Sequence, residues 1–224
     1  MAVHRKCIKY VEEILEFSDL KGNKACQLGN CGFRESAKRY LIKKYGTKFR
    51  RFDSYLIYHD FETSTIDING KRGHLLIDLG IPIEDESLIE SFDFVIGFGL
   101  IEHIEDQYEL FRNIHNLCKV GGIVMLNCPM VGSYIGHGTW TYDFLFFSKL
   151  CRACGYTILD IRMMNLKYYK VDDNKFIVYV SYSKTKNNKF IDRENFRSPY
   201  YDSIGHGNDR DKYNGCERKG INGK

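Results

Sequence analysis

Apolar positions along the chain change their period several times, and each change marks an element. Cys7, Ile8, Val11, Ile14, Leu15 and Phe17 recur at near-helical intervals, so an amphipathic helix over residues 4–17 opens the chain. "KACQL", flanked by "KGN" and "GN", is a short apolar run suited to a buried strand. From Glu35 to Tyr45 the pattern is helical again, with Ala37, Tyr40, Leu41 and Tyr45 on one side and Gly46 as the stop. Thr47 to Phe61 is polar and aromatic, longer than the usual helix-to-strand link, and predicts no element.

Three strand patterns follow: "STIDING" ending at Asp67, "HLLIDLGIP" ending at Asp78, and "SFDFVIGFG" ending near Gly97. "DQYELFRNIHNLCK" is a helix with Tyr108, Phe111, Ile114 and His115 on its apolar side, and "GGIVMLNCP" is a strand stopped by Pro129. Tyr142 to Cys154 is helical, "GYTILDIRMM" is a strand, and "KFIVYVSYS" is a last strand with period-2 alternation. Strands without a polar face that alternate with helices predict an α/β fold, a parallel sheet covered on both sides. In such sheets ligands bind beyond the carboxyl ends of the strands. The residues to watch are therefore Gly29 to Phe33, Asp67, Asp78, Gly97 to His103, and Asn127 onward.

At 224 residues and 43% hydrophobic content, the chain suits one domain, read as residues 1–183. The net charge of +4 belongs to the remainder: residues 184–224 hold ten Lys/Arg against six Asp/Glu, which leaves 23 against 23 before them. That basic, polar segment predicts a weakly ordered, solvated tail, not a nucleic-acid arm. The N-terminus has no apolar h-region, and no run approaches the roughly 20 residues a bilayer requires. A soluble, cytoplasmic protein is expected. The eight cysteines fall mostly inside elements, which predicts reduced thiols, not disulfides. The single CxxC, Cys151 and Cys154, has no second pair or matching histidines at zinc spacing, so no metal is expected.

"CQLGNCGF" stands where the first buried strand hands over to a helix. Gly29 allows close backbone approach, and the helix start offers N–H groups to an anion. A dinucleotide fingerprint would place glycines where Cys31 and Phe33 stand. Asp67, at the end of the next strand, can accept both hydroxyls of a ribose, and as a bland alternative is a turn residue in "DING". Asp78 can accept an adenine amino group or cap a turn.

"CQLGN", "STIDING", "LLIDLGIP", "FDFVIGFGLIEHI", "LFRNIHNLCKVGGIVMLNCP" and "LCRACGYTILDI", in this order, resemble the class I S-adenosylmethionine-dependent methyltransferases. The likeness runs from about Lys24 to Ser183 and is most specific in "FDFVIGFGLIEHI" and "LCKVGGIVMLNCP". It implies a three-layer Rossmann-like methyltransferase fold with a seven-stranded, mostly parallel sheet whose last strand is antiparallel. It also implies S-adenosylmethionine as cofactor, with Gln27, Gly29 and Asn30 near its methionine part, Asp67 and Ile68 at the ribose, Asp78 and Leu79 at the adenine, and Gly97 on the same edge. Gln27 replaces the acid usual in that family.

Methyl transfer to an O or N acceptor requires alignment, exclusion of water and removal of a proton, which directs attention to histidine. His103 and His137, in the loops after the fourth and fifth strands, are the candidates to orient or deprotonate a small-molecule or sugar-like acceptor. His115, on the apolar side of a helix, reads as a satisfied core residue. Two other readings are kept: a catalytically silent module of the same fold that binds a partner, motivated by Gln27, Cys31 and Phe33, and a nicotinamide-dependent oxidoreductase, which would also want an acid at the second strand but is disfavoured by the absence of GxGxxG from the first turn.

Overall fold

A strand without a polar face must be covered on both sides, and Phe92–Phe98 is buried at every one of its seven positions. In the computed structural model, which describes residues 2–69, 74–134, 136–165 and 175–201, this strand lies in the middle of the main sheet. In chain order the strands are β1 (Ala2–Val3), β2 (Lys24–Leu28), β3 (Gly32–Phe33), β4 (Glu62–Ile66), β5 (Phe92–Phe98), β6 (Cys118–Pro129), β7 (Trp140–Thr141), β8 (Thr157–Asn165), β9 (Phe176–Ser183) and β10 (Tyr200–Tyr201). The helices are α1 (Arg5–Phe17), α2 (Glu35–Tyr45), α3 (Phe52–Tyr58), α4 (Gln107–Leu117) and α5 (Phe144–Cys154).

The main sheet runs β4-β2-β5-β6-β9-β8. Its first four strands are mutually parallel, β9 is antiparallel to β6, and β8 is antiparallel to β9. This is the expected three-layer, mostly parallel α/β architecture with an antiparallel last strand, built on six strands where seven are expected. "HLLIDLGIP" contributes only one parallel bridge, Leu75 to Ile66. It lies at the sheet edge, where Leu76 is 54% exposed, and the Asp78 side chain accepts the Gly80 N–H and turns the chain before a second pair forms.

One apolar core gathers α4 and α5 against one face of the sheet, and a second gathers α1, α2 and α3 against the other. Helix α3 occupies the stretch left blank by the sequence pattern; Phe52, Tyr55 and Leu56 are buried at i, i+3 and i+4. No described helix is long and apolar enough to cross a membrane.

The contacts of the main body do not stop at residue 183. Phe196 is buried in the α4–α5 core, Arg193 pairs with Asp106 and Glu109, and Lys184 is 2% exposed. The Lys184 ammonium donates to Glu90 Oε1 (2.9 Å) and to the carbonyls of His115 and Cys118 (3.0 Å each). The first part of the expected solvated tail therefore packs on the domain through residue 201, and residues 202–224 lie outside the described residues. Seven cysteines, Cys151 and Cys154 among them, are free and buried. His115 is a satisfied core residue: Nε2–H donates to the Asn188 carbonyl (2.8 Å), and Nδ1 accepts from the Tyr156 hydroxyl (2.6 Å).

Candidate functional site

Parallel strands end together, so the carboxyl ends of β2, β4 and β5 form one rim. Gly29 leaves β2 with φ of 77°, in the left-handed region that glycine adopts without penalty, and its N–H donates to the Ile66 carbonyl (2.7 Å). Asp67, one residue past β4, ties the two turns together. Its Oδ2 accepts the Asn30 N–H (2.8 Å) and its Oδ1 the Asn69 N–H (2.9 Å). Each oxygen keeps a lone pair for a further donor, and the carboxylate is only partly buried.

Gln27 is 2% exposed and holds the turn from within, its Nε2 donating to the Gly29 carbonyl (2.5 Å), while its Oε1 is buried without a hydrogen-bond partner among the described residues. Gln27 therefore supports the glycine turn by its amide, a task that needs no charge.

The two residues that break the glycine pattern are core residues. Cys31 is 1% exposed, and burial pushes its thiol up to about 12, with the nearby carboxylates of Asp67 and Glu102 adding to the effect. Phe33 is 7% exposed and packs edge-on against Phe52, ring centroids 6.2 Å apart, in the core beneath α3. Its bulk is directed into the core, not into the rim. Between Gly29 and α2 the chain pairs β3 with β1, so the helix start stands off from the glycine turn.

Asp78 sits three residues past the Leu75–Ile66 bridge, at the same end as Asp67. Its turn abuts the next loop: a Cβ on Gly80 would lie 3.2 Å from Asp78 Oδ1 and 3.4 Å from Ile104. Leu79 is 3% exposed and belongs to the core, its carbonyl accepting from Asn113 Nδ2 (3.0 Å). Ile68 is half-buried beside Asp67. Gly97 lies within the sheet, between Leu28 and Leu126, where an added Cβ would come 3.2 Å from Leu126; the glycine at the loop itself is Gly99, with φ of 67°. Gly97 thus serves strand packing, and the rim beyond it begins at Gly99.

The loop after β5 carries the second half of the site. Residues 101–103 form a single 3₁₀ turn, fixed from below by two buried side chains. The Tyr142 hydroxyl donates to Gln107 Oε1 (2.7 Å) and lies 3.0 Å from the Ile101 carbonyl, and Gln107 Nε2 donates to the carbonyls of Ile101 (2.9 Å) and Ile104 (2.7 Å). The loop after β6 folds back onto this turn, the Thr139 N–H donating to the Glu102 carbonyl (2.8 Å).

His103 and His137, distant in sequence, meet here with ring centroids 5.1 Å apart. Between them stands Glu102, which the sequence pattern did not single out. It is 2% exposed; its Oε1 is 3.8 Å from His103 Nε2 and 4.0 Å from His137 Nε2, and its Oε2 has no hydrogen-bond partner among the described residues. Burial pushes its carboxyl up to about 8. Gly138 lets the loop close: with φ of 79°, a Cβ there would stand 2.9 Å from Glu102 Cγ.

The left-handed turn at Gly29, the Asp67 and Asp78 carboxylates and a Gln27 oxygen that is buried without a partner among the described residues stand on one edge, with the Glu102 cluster beside them.

Comparisons with known proteins agree with this architecture. A family model described as a methyltransferase domain matches residues 71–126, a quarter of the chain, including Asp78, Leu79, Gly97, Glu102 and His103. No curated protein sequence matches significantly. Among solved structures, an S-adenosylmethionine-dependent methyltransferase described as putative, from Listeria monocytogenes, superposes with a TM-score of 0.52 at 11% identity, over 81% of this chain and 99% of that one. The 1,6-didemethyltoxoflavin-N1-methyltransferase of Burkholderia thailandensis, solved with 1,6-didemethyltoxoflavin and S-adenosylhomocysteine, superposes with a TM-score of 0.51 at 10% identity, over 81% and 78%. The chain spans about half (53%) of the length of a Haemonchus contortus phosphoethanolamine N-methyltransferase that it matches at 15% identity over 80% of its own length, TM-score 0.46. The shared property is the fold.

Proposed function

We propose that this chain, which has the fold of the class I S-adenosylmethionine-dependent methyltransferases and carries their domain segment, transfers the methyl group to an oxygen or nitrogen of a small-molecule acceptor. The observation that carries the reading is the Asn30 N–H to Asp67 bond (2.8 Å), which makes a single rim of the glycine turn and the ribose-reach carboxylate.

S-adenosylmethionine, when bound, supplies an electrophilic methyl on a sulfonium with a thioether as leaving group. Everything else falls to the chain. Asp67 accepts the ribose hydroxyls through the lone pairs its backbone partners leave unused. Gly29 and Asn30, whose N–H groups are bonded to Ile66 and Asp67, offer their carbonyls to the ammonium of the amino-acid arm, with the turn held in place by the Gln27 amide. Asp78, with Ile68 and Leu79 supporting the neighbouring backbone, faces the adenine. His103 and His137, with Glu102 between them, orient the acceptor and take up its proton as the new bond forms, from the loops that close the second half of the rim.

Calorimetric titration with S-adenosylhomocysteine tests the reading, followed by a screen of small metabolites with a labelled methyl donor. Binding together with label transfer to an O or N acceptor is expected. No heat at high ligand concentration would refute the cofactor site, and binding without transfer to any acceptor would leave a silent module.

A further inference from the structure

We propose that Glu102, His103 and His137 form a three-ligand site for one divalent transition-metal ion of the zinc type, leaving a fourth position for water or an acceptor oxygen. One ligand atom from each residue lies within 4.8 Å of the other two. The separations of Glu102 Oε1 from the two Nε2 atoms, 3.8 and 4.0 Å, are too long for direct hydrogen bonds. They are close to what a shared ion demands. Bonds of about 2.0–2.2 Å at tetrahedral angles set ligand atoms roughly 3.4 Å apart, so each Glu102–histidine pair has to close by only about half an ångström, and the two histidine nitrogens start within 4.8 Å of each other.

A second, independent observation comes from Glu102. It is 2% exposed, it projects into this cluster, and its Oε2 has no hydrogen-bond partner among the described residues. A carboxylate withdrawn from water requires a compensating partner, and an ion at the common point of the three groups supplies one. The donor set selects the metal. Two imidazoles and one carboxylate suit zinc and its neighbours, whereas magnesium and calcium prefer oxygen alone. Three protein ligands with an open position is the arrangement of catalytic, not structural, zinc.

The scaffold is fixed enough to hold such geometry. Gln107 and Tyr142 lock the turn bearing Glu102 and His103, and the Thr139 N–H and Gly138 seat the loop bearing His137. The catalytic use of the ion rests on the methyl-transfer reading. There the ion would replace the two histidines as the group that activates the acceptor: it would acidify an acceptor hydroxyl whose proton passes to solvent, freeing the oxygen lone pair to take the methyl, while both histidines act as ligands through Nε2 and no longer take up the proton themselves.

The test uses the full chain, freed of metal by chelation and titrated with Zn²⁺, and with Co²⁺ as a spectroscopic probe. One equivalent bound, with visible d–d absorption for Co²⁺, is expected. His137→Ala and Glu102→Gln should each weaken binding by at least about 100-fold, more than loss of an outer-shell partner does. The Cys151→Ser, Cys154→Ser double variant should leave it unchanged. His137 has a side chain 34% exposed, so its variant folds even where Glu102→Gln does not.

No bound equivalent, affinity that survives His137→Ala, or affinity lost with the cysteines would overturn the proposal. S-adenosylhomocysteine titrated into the same samples separates the two ideas. Cofactor binding without metal binding sinks the metal site alone, and metal binding without cofactor binding sinks the methyl-transfer reading alone.

Discussion

Replacing Asp67 by asparagine probes the rim with almost no change of shape. Asp67 accepts from the Asn30 N–H at 2.8 Å and from the Asn69 N–H at 2.9 Å, one on each oxygen. An amide has a single acceptor oxygen, so the variant keeps one of these bonds and turns its own NH₂ toward the other donor. A hydrogen bond to a charged acceptor contributes about 1.5–3 kcal/mol net. The ligand-free protein should lose about that much, a fall in melting temperature of about 3–12 °C for a chain of this size. A ribose hydroxyl that relies on the same carboxylate loses a charged acceptor, which weakens S-adenosylhomocysteine binding by roughly 10- to 150-fold. Thermal melts without ligand and calorimetric titration with it read the two effects separately. A lowered melting temperature with an unchanged Kd would show Asp67 to be a turn clamp only and would refute its assignment to the ribose. An unchanged melting temperature would refute the clamp.

Three further outcomes are expected. Gly138→Ala forces a side chain into the left-handed region, with its Cβ 2.9 Å from Glu102 Cγ, so at least about 1–2 kcal/mol of stability should be lost; unchanged melting would mean the loop does not close on Glu102 as described. Lys184→Met removes an ammonium that satisfies Glu90 and two buried carbonyls, and urea unfolding should show a loss of about 3 kcal/mol, whereas a loss under about 1 would place the contact in solvent. His115, its pKa lowered to about 4 by burial and by the neighbouring Lys184 cation, is neutral in the fold. The unfolded chain therefore binds more protons than the native one between about pH 4 and 6.5, and stability should fall as pH drops through that window. His115→Gln should flatten this part of the stability–pH curve, and an identical curve would refute the assignment.

The α/β layout was legible because buried strands and amphipathic helices have distinct periods, and most of those expected lie close to where the structure places them. Helix α3 carried its signal, Phe52, Tyr55 and Leu56, but a seven-residue segment has too few turns for periodicity to stand out from an aromatic loop. The short pairs β1–β3 and β7–β10 join distant segments, and no local pattern encodes them. Residues 184–201 read as solvated because their charges dominate the composition, while Lys184 and Phe196 are buried by partners far away in sequence. At the site, glycines and strand-end acids announced Gly29, Asp67 and Asp78. Glu102 was visible only as part of an "EH" motif. Its position between His103 and His137 depends on a loop crossing back from 35 residues further along, and the one available hint was an acid in an otherwise apolar turn.

The shortened third strand has a consequence for how a ligand comes and goes. The wall bearing Asp78 is not stitched into the sheet by a ladder. It is held by one backbone bridge, Leu75 with its neighbours at Thr65 and Asp67, by the Asn113 side chain, which grips Leu79, Ile81 and Ile83, and by the packing of Leu75, Ile77, Leu79 and Ile83 on the core. Swinging it outward breaks a handful of bonds of about 0.5–1.5 kcal/mol each and exposes those apolar side chains, with the sheet left intact. On the proposed reading, entry and departure of a nucleoside would not require the sheet to open, and Asn113 would be the latch between them and the fold.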